Sequence, residues 1–312
     1  MPPWNRKHFK LRPKQIWRFR IKAFRHRWLS LMNKPGFTVQ PFIVTGPPRS
    51  GTSLLTALLT RKPNVLVVNE PVVVSDLTFV DYDPVKLLKG YYNYTANRAV
   101  GKGLLKTKVD PDSPDKSTTD TAARGYSRND IPVCVDKSRP VVIGVKHPQT
   151  FMEFLQPICE GWPELKVICA MREPGPTIRS WRETGFGWDP QIDDKTKGIW
   201  RRYYELIPKD ISDPLEKRAH VWRILAKRAQ RFARERSEQV MISRYEELVR
   251  NPTESLARLF RHIGADQPDE AVDVSDVRVQ DRPNYRGFTK EEGEMIERVC
   301  GESAEAVLRH CQ

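Results

Sequence analysis

The sequence has no apolar run of about 18 residues, the length a helix needs to cross a bilayer, so no membrane span is expected from it. Its five cysteines, Cys134, Cys159, Cys169, Cys300 and Cys311, include no Cys-x-x-Cys pair and have no histidine at zinc-finger spacing. Reduced thiols in a cytoplasmic protein are the expectation. Acidic residues are missing from residues 1–34, which hold eleven lysines and arginines. Those eleven leave only +3 of the formal +14 for the rest of the chain. The body is therefore mildly basic, and charge gives no argument for a nucleic-acid enzyme. No continuous apolar stretch follows the basic start, so no secretory signal is expected.

What is present begins with Trp17, Ile21, Phe24, Trp28 and Leu31, spaced 4, 3, 4 and 3 along one helical face. Arginines and lysines fill the gaps, and Lys34-Pro35-Gly36 ends the helix. Such a stripe suits docking on the protein's own core, or peripheral contact with an anionic membrane surface. We divide the chain into this arm, residues 1–38, and a single domain over 39–312. Within the domain, short apolar runs at 42–44, 65–68, 141–145, 165–170 and 240–243 read as buried strands. Helical segments at 52–59, 214–236, 253–262 and within 289–311 alternate with them. That alternation predicts an α/β fold, a parallel sheet flanked by helices, of the P-loop nucleotide-binding kind. Residues 110–139, rich in Asp, Pro, Ser and Thr, are expected to form a surface insertion.

The strongest local signal is Gly46-Pro47-Pro48-Arg49-Ser50-Gly51-Thr52-Ser53, between the first strand and the first helix. Backbone N–H groups at a helix N-terminus, with about half a positive charge from the aligned peptide dipoles, make an anion cradle. Ser50, Thr52 and Ser53 add hydroxyl donors, and Gly51 permits close approach. Gly46 and Gly51 have the spacing of a nucleoside-triphosphate loop, but Thr52 stands where that loop has lysine. A cation, Arg49, lies inside the loop instead. A single phosphate bearing a labile group fits this better than a metal-bound triphosphate. Further on, Arg172 follows the fourth strand in Arg172-Glu173-Pro174, and Ser180 lies eight residues later. A strand end and the next helix bring these two toward one phosphate.

Gly46 to Leu54 resembles the 5′-phosphosulfate loop of the sulfotransferases that use 3′-phosphoadenosine 5′-phosphosulfate (PAPS). The Pro-Arg-Ser-Gly-Thr form is closest to their carbohydrate and protein-tyrosine branches. Arg172-Glu173-Pro174 with Ser180 resembles the family's 3′-phosphate motif. Ser243 to Leu248 resembles a scaffold segment in which Tyr245 and Leu248 are packing residues. Arg282 to Gly287 loosely resembles the C-terminal basic loop, making Arg282 and Arg286 candidate nucleotide contacts. Together the resemblance implies a binding set of Gly46, Pro48, Arg49, Ser50, Gly51, Thr52, Ser53, Arg172, Ser180, Arg282 and Arg286. PAPS is the implied co-substrate, adenosine 3′,5′-bisphosphate (PAP) its product, and no metal is implied.

Sulfuryl transfer needs an in-line arrangement, a base for the acceptor hydroxyl, and cations where negative charge develops. Glu70, at the end of the second strand, matches the glutamate base of those branches. Lys146 matches a lysine that contacts the sulfuryl group, so Lys146 and Arg49 are assigned to charge stabilisation. His147 ranks below Glu70, because a one-residue change of register turns its side chain away. By resemblance the acceptor hydroxyl belongs to a saccharide or glycolipid, with a peptidyl tyrosine next, on a cytoplasmic enzyme held at most peripherally at the inner membrane surface. Nucleic acid is not an expected partner. Tyr91, Tyr92, Tyr94, Trp188, Trp200 and Tyr203 are open between acceptor stacking and core. A P-loop kinase or nucleotide hydrolase is the first competing reading, and a membrane- or nucleic-acid-binding module built on the arm is the second.

Overall fold

The computed structural model describes residues 28, 35–75, 77, 83–110, 113–117, 127–184, 199–265, 272–275, 277 and 285–309. Five strands form a wholly parallel sheet: β1 (Val39–Thr45), β2 (Val65–Asn69), β6 (Val141–Lys146), β7 (Lys166–Met171) and β8 (Val240–Arg244), in the order β2-β6-β1-β7-β8. All five were expected, within a few residues at each end. Their sequences are near-continuous apolar runs because both faces are covered. Alternation along each strand then sorts side chains between two cores. Phe42, Val44, Val65, Val67, Val142, Ile168 and Ala170 face one way. They meet helices α1 (Thr52–Leu59), α8 (Tyr245–Arg250) and α9 (Pro252–His262). Ile43, Leu66, Val68, Ile143, Val145, Val167, Cys169 and Met171 face the other way. There they meet α3 (Pro84–Lys102), α4 (Pro148–Gly161), α7 (Pro214–Glu235) and α10 (Lys290–Arg309). The short helices α2 (Val72–Ser75), α5 (Pro174–Thr184) and α6 (Ile199–Glu205) lie between these elements in the chain.

A second, antiparallel sheet has the order β4-β3-β5, from β3 (Leu104–Asp110), β4 (Ser113–Ser117) and β5 (Ser127–Pro132). Residues 110–139, expected as a surface insertion with little order, thus contribute β4, β5 and the end of β3. Their polar composition hid them: among the described side chains of this sheet, Leu105 on β3 and Ile131 on β5 are the buried residues that enter the main core. The pattern also gave no sign of α3, which is capped by Asp83, whose Oδ1 accepts from the Val85 N–H at 2.9 Å. Of the aromatics left open, Tyr92 and Tyr203 belong to the core, at 2% and 1% exposed, and Tyr92 donates to the Phe42 carbonyl. Trp188 lies outside the described residues, as does the side chain of Trp200. Of the arm, Trp28 alone is described within 1–34; its ring meets Tyr94 on α3 edge-on at 5.8 Å. No described helix is long and apolar enough to cross a membrane.

Gly144, in the middle of β6, leaves space for the Phe42 ring of neighbouring β1. A Cβ at Gly144 would lie 2.3 Å from Phe42 Cζ. Gly144→Ala is therefore expected to lower the unfolding free energy by about 1–3 kcal/mol, the usual range for overpacking. Urea denaturation checks this, and Phe42→Leu in the same chain should recover part of the loss.

Candidate functional site

From the end of β1 the chain proceeds to β2 on one side of the sheet, and from β7 to β8 on the other. The carboxyl ends of β1 and β7 therefore flank a topological switch point, where open parallel sheets bind ligands. The loop 46–51 leaves β1 at this crevice, and Arg172-Glu173-Pro174 leaves β7 beside it. Gly46 has φ +133°, and a Cβ there would come within 2.0 Å of the Ala170 carbonyl on β7. No larger residue lets the loop pass so close to the neighbouring strand. Gly51, at φ +80°, is the N-cap of α1 and supplies no side-chain cap. The first N–H groups of α1 are left for another acceptor.

The loop and the second motif are joined directly. Arg49 Nε donates to Ser180 Oγ at 2.9 Å. The next residue on α5, Trp181, donates its indole N–H to the Pro48 carbonyl at 2.8 Å. Tyr245 fills the remaining gap. Its ring lies where a Cβ on Gly51 would be, 2.3 Å from Cδ2, and the Arg172 guanidinium stacks on it at 4.3 Å from the centroid. Tyr245 thus spans the two motifs, while Leu248 is buried in the core at 2% exposed. The Glu173 N–H donates to Glu246 Oε1 at 2.9 Å, and Trp222 Nε1 donates to the Arg172 carbonyl at 3.2 Å. Ser50 Oγ and Arg172 Nε are buried polar atoms with no hydrogen-bond partner among the described residues. Ser50 is 1% exposed, and a buried hydroxyl ordinarily has a hydrogen-bond partner.

The catalytic candidates meet one strand further along, where β2 and β6 end side by side with Asn69 opposite Lys146. The Glu70 N–H donates to the Lys146 carbonyl at 2.7 Å. Glu70 Oε1 lies 3.2 Å from Lys146 Nζ, and Lys146 Nζ donates to Ser53 Oγ on α1 at 2.9 Å. Lys146 therefore stands between the carboxylate and the phosphate loop. Glu70 Oε2 accepts from Lys108 Nζ on β3, and the Glu70 carbonyl accepts from Arg128 Nη2 on β5 at 2.9 Å. Thr107 Oγ1 accepts from the Asn69 N–H at 3.0 Å, tying β3 to the end of β2. Lys108, Arg128 and Tyr245 were not among the expected site residues. Residues 104–110 were not read as a strand, because Lys106, Thr107 and Lys108 put polar side chains on both faces, and nothing local says that Lys108 meets Glu70 instead of water.

Two non-glycine residues of the site, Arg49 at φ +68° and Glu70 at φ +46°, hold left-handed backbone. Such conformations are uncommon for long side chains and persist only where surrounding contacts fix them. Burial works against the charge on Glu70, but the ammonium groups of Lys146 and Lys108 outweigh it and hold the carboxyl at about 2 against an ordinary 4.5. Burial pulls Lys146 below the usual lysine range; Glu70 opposes this, and Lys108 and Arg49 add to it. The two cations beside the carboxylate are the cause of its downward shift. His147 is pushed down to about 4, chiefly by burial. Its Nδ1 accepts from the Thr150 N–H at 3.4 Å, and its Nε2 lies 2.8 Å from Ser75 Oγ. With Nδ1 accepting, the ring proton sits on Nε2, and the neutral ring caps α4.

The C-terminal loop reaches the crevice from the far side of α5. Arg179 donates to the Arg286 carbonyl and Arg182 to the Gly287 carbonyl. Arg182 also stacks on Phe288 at 4.6 Å and pairs with Glu292 at 3.3 Å. Glu292 caps α10 by accepting from the Thr289 N–H at 2.9 Å. The Arg286 backbone is thus fastened to the helix that carries Ser180, while Arg282 lies outside the described residues. The segments that carry Gly46 to Ser53 and Arg172 to Ser180 are thus joined by hydrogen bonds, with Lys146 linked to Ser53 and Glu70 to Lys146.

A family profile described as "Sulfotransferase family" matches residues 41–269. No curated protein matches the chain. Among solved structures, a sulfotransferase from Alicyclobacillus acidocaldarius is 14% identical, with 86% of this chain and 94% of that chain covered, at a TM-score of 0.47. A sulfotransferase from Mycobacterium avium is 15% identical, covering 93% and 81%, at a TM-score of 0.41. A mouse sulfotransferase complexed with PAP is 13% identical, covering 88% and 91%, at a TM-score of 0.38.

The depressed Glu70 pKa is also a stability statement. A carboxyl whose folded pKa lies below its unfolded value adds stability above the unfolded value, and loses it as pH falls through the folded one. Glu70→Gln, which leaves Lys108 and Lys146 without their counter-charge, is expected to lower stability at pH 7 by on the order of 3 kcal/mol. The difference from wild type should shrink as pH falls from about 4.5 to about 2. Urea unfolding of both proteins at a series of pH values measures it.

Proposed function

This chain belongs to the sulfotransferase family, and from that premise we propose that it moves a sulfuryl group from PAPS to a hydroxyl of a saccharide or glycolipid. The observation that carries the donor assignment is the Arg49–Ser180 hydrogen bond of 2.9 Å. It makes one continuous crevice of two anion cradles, as a nucleotide phosphorylated at both 5′ and 3′ positions requires. The buried, partnerless Ser50 Oγ and Arg172 Nε fit such a ligand. The saccharide or glycolipid acceptor is supported by the form of the phosphate loop, which resembles that of the carbohydrate and protein-tyrosine branches.

PAPS supplies the sulfuryl group and, in PAP, its leaving group. In this reading Ser50, the hydroxyls of Thr52 and Ser53 and the first N–H groups of α1 hold the 5′-phosphate. Arg172 and Ser180 hold the 3′-phosphate, and Arg286 closes the C-terminal side. Arg49 and Lys146 place positive charge where the transition state gathers negative charge. Glu70 receives the acceptor's proton. Its side chain is 21% exposed, whereas Lys146 and Lys108 are 1% and 2% exposed. An acceptor from solvent therefore meets the carboxylate before either ammonium.

With both lysines on it, Glu70 at about 2 is a weak base. As Lys146 turns from Glu70 toward the sulfuryl oxygens, the carboxylate loses one of its two cations and its proton affinity rises. Cation and base are thereby set to their tasks by the same displacement.

Calorimetry tests the donor assignment. PAP is expected to bind more tightly than ATP with magnesium, and Arg172→Ala should weaken PAP by about 10–100-fold, the worth of a charge-assisted hydrogen bond. The same substitution should leave ATP nearly unchanged. Equal affinity for the two nucleotides, or tighter ATP, would favour a P-loop kinase or hydrolase instead.

A further inference from the structure

Glu70 is gripped from two sides by elements of different origin. Lys146, at the end of β6, belongs to the parallel sheet and reaches on to Ser53 of the phosphate loop at 2.9 Å. Lys108 comes from β3 of the small antiparallel sheet and holds the other carboxylate oxygen, Oε2. In the β3–β5 register Lys108 stands directly opposite Arg128. Like charges in that relation destabilise a sheet. Here both converge on one residue, Lys108 on the Glu70 carboxylate and Arg128 on the Glu70 carbonyl at 2.9 Å. The charged groups acting on the carboxylate are thus Lys146 from the β6 end and Lys108 from β3, with the His147 ring beside them, while Arg128 from β5 holds the Glu70 carbonyl. Arg49, in the phosphate loop, acts on it through Lys146.

We propose that Lys108 is a positioning residue for the transfer, holding Glu70 aimed at the acceptor hydroxyl while Lys146 turns to the sulfuryl group. This deepens the sulfuryl-transfer reading and rests on it. A carboxylate released by its only cation would be free to rotate, and a base misplaced by an ångström loses much of its effect. Lys108 prevents that, because it is anchored on a separate sheet with no link to the phosphate loop through Ser53. Its ammonium holds Glu70 Oε2, while the link to Ser53 of the phosphate loop is made by Lys146, so Lys108 acts through Glu70. The division of labour is geometric: one lysine on the phosphate-loop side of the carboxylate, one on the far side.

The test uses the full chain and two readouts. The first is the ¹³C carboxyl titration of Glu70 by NMR in nucleotide-free protein, assigned by difference against Glu70→Gln. In wild type the carboxyl should titrate at about 2. In Lys108→Met it should move up by a unit or more, about a tenfold gain in proton affinity. Lys108→Arg, which keeps the charge, should return it toward wild type. The second readout is sulfuryl transfer as a function of pH. Lys108→Met should lower kcat about tenfold or more and raise the acid limb of the profile, while PAP affinity stays within about twofold. If Lys108→Met does not fold, Lys108→Gln takes its place.

An unmoved Glu70 titration, or a loss of PAP affinity equal to the loss of kcat, overturns the proposal while leaving the donor assignment standing. A wild type that binds PAP no better than ATP and transfers no sulfuryl group overturns both.

Discussion

Glu70 supplies the negative charge that pairs with two buried lysines, Lys146 and Lys108, at the edge of the parallel sheet. An ammonium without a counter-charge in such a place would be strongly disfavoured. The carboxylate in turn is held by both side chains, and its backbone by the Lys146 carbonyl and Arg128. Each partner therefore depends on the others, and the cluster joins four strands: β2, which leads into Glu70, β6, β3 and β5. The small antiparallel sheet has this junction as its main polar connection to the site. Without Glu70, Lys108 and Arg128 would be two like charges facing each other across β3 and β5.

The nucleotide crevice follows from a different constraint, the topology of the sheet. A parallel sheet whose chain leaves in opposite directions from adjacent strands opens a gap at their carboxyl ends. Here the gap is closed by contacts between the two motifs: Arg49 with Ser180, Pro48 with Trp181, and Tyr245 between Gly51 and Arg172. Because these contacts fix the walls before a ligand arrives, binding orders few side chains, and the entropic cost of association is kept low. What the walls leave open are the hydroxyl of Ser50, the Nε of Arg172 and the first N–H groups of α1.

Much of this was legible in the sequence because it is local. A strand, a glycine-rich turn and a helix read in order from 42 to 59, and the five apolar runs could belong only to a sheet covered on both faces. Glu70 and Lys146 were singled out by resemblance to family motifs, Glu70 also by its place at a strand end beside the phosphate loop. Their direct pairing was a matter of register between β2 and β6, which no single segment encodes. Lys108 and Arg128 escaped for a stronger reason. Their strands are polar, and one of them lies within a stretch whose composition reads as loop. Their function arises only when the antiparallel sheet docks against the end of β2. Tyr245 was read correctly as a packing residue, but what it packs against, Gly51 and Arg172, comes from distant parts of the chain.

The two left-handed residues, Arg49 and Glu70, connect these observations. Each stands where the chain leaves a strand of the parallel sheet and must bring a charged side chain back toward the crevice. A glycine would relieve the backbone but remove the charge, so the strain comes with the chemistry. In both cases hydrogen bonds resist relaxation: Ser180 on the Arg49 guanidinium, Lys146 and Arg128 on the Glu70 backbone. The contacts that brace the backbone are thus made by residues that also carry charge or belong to the proposed nucleotide site. A substitution among them disturbs the electrostatics and the conformation together, which is why the roles of Lys108 and Lys146 separate only when Glu70 itself is observed.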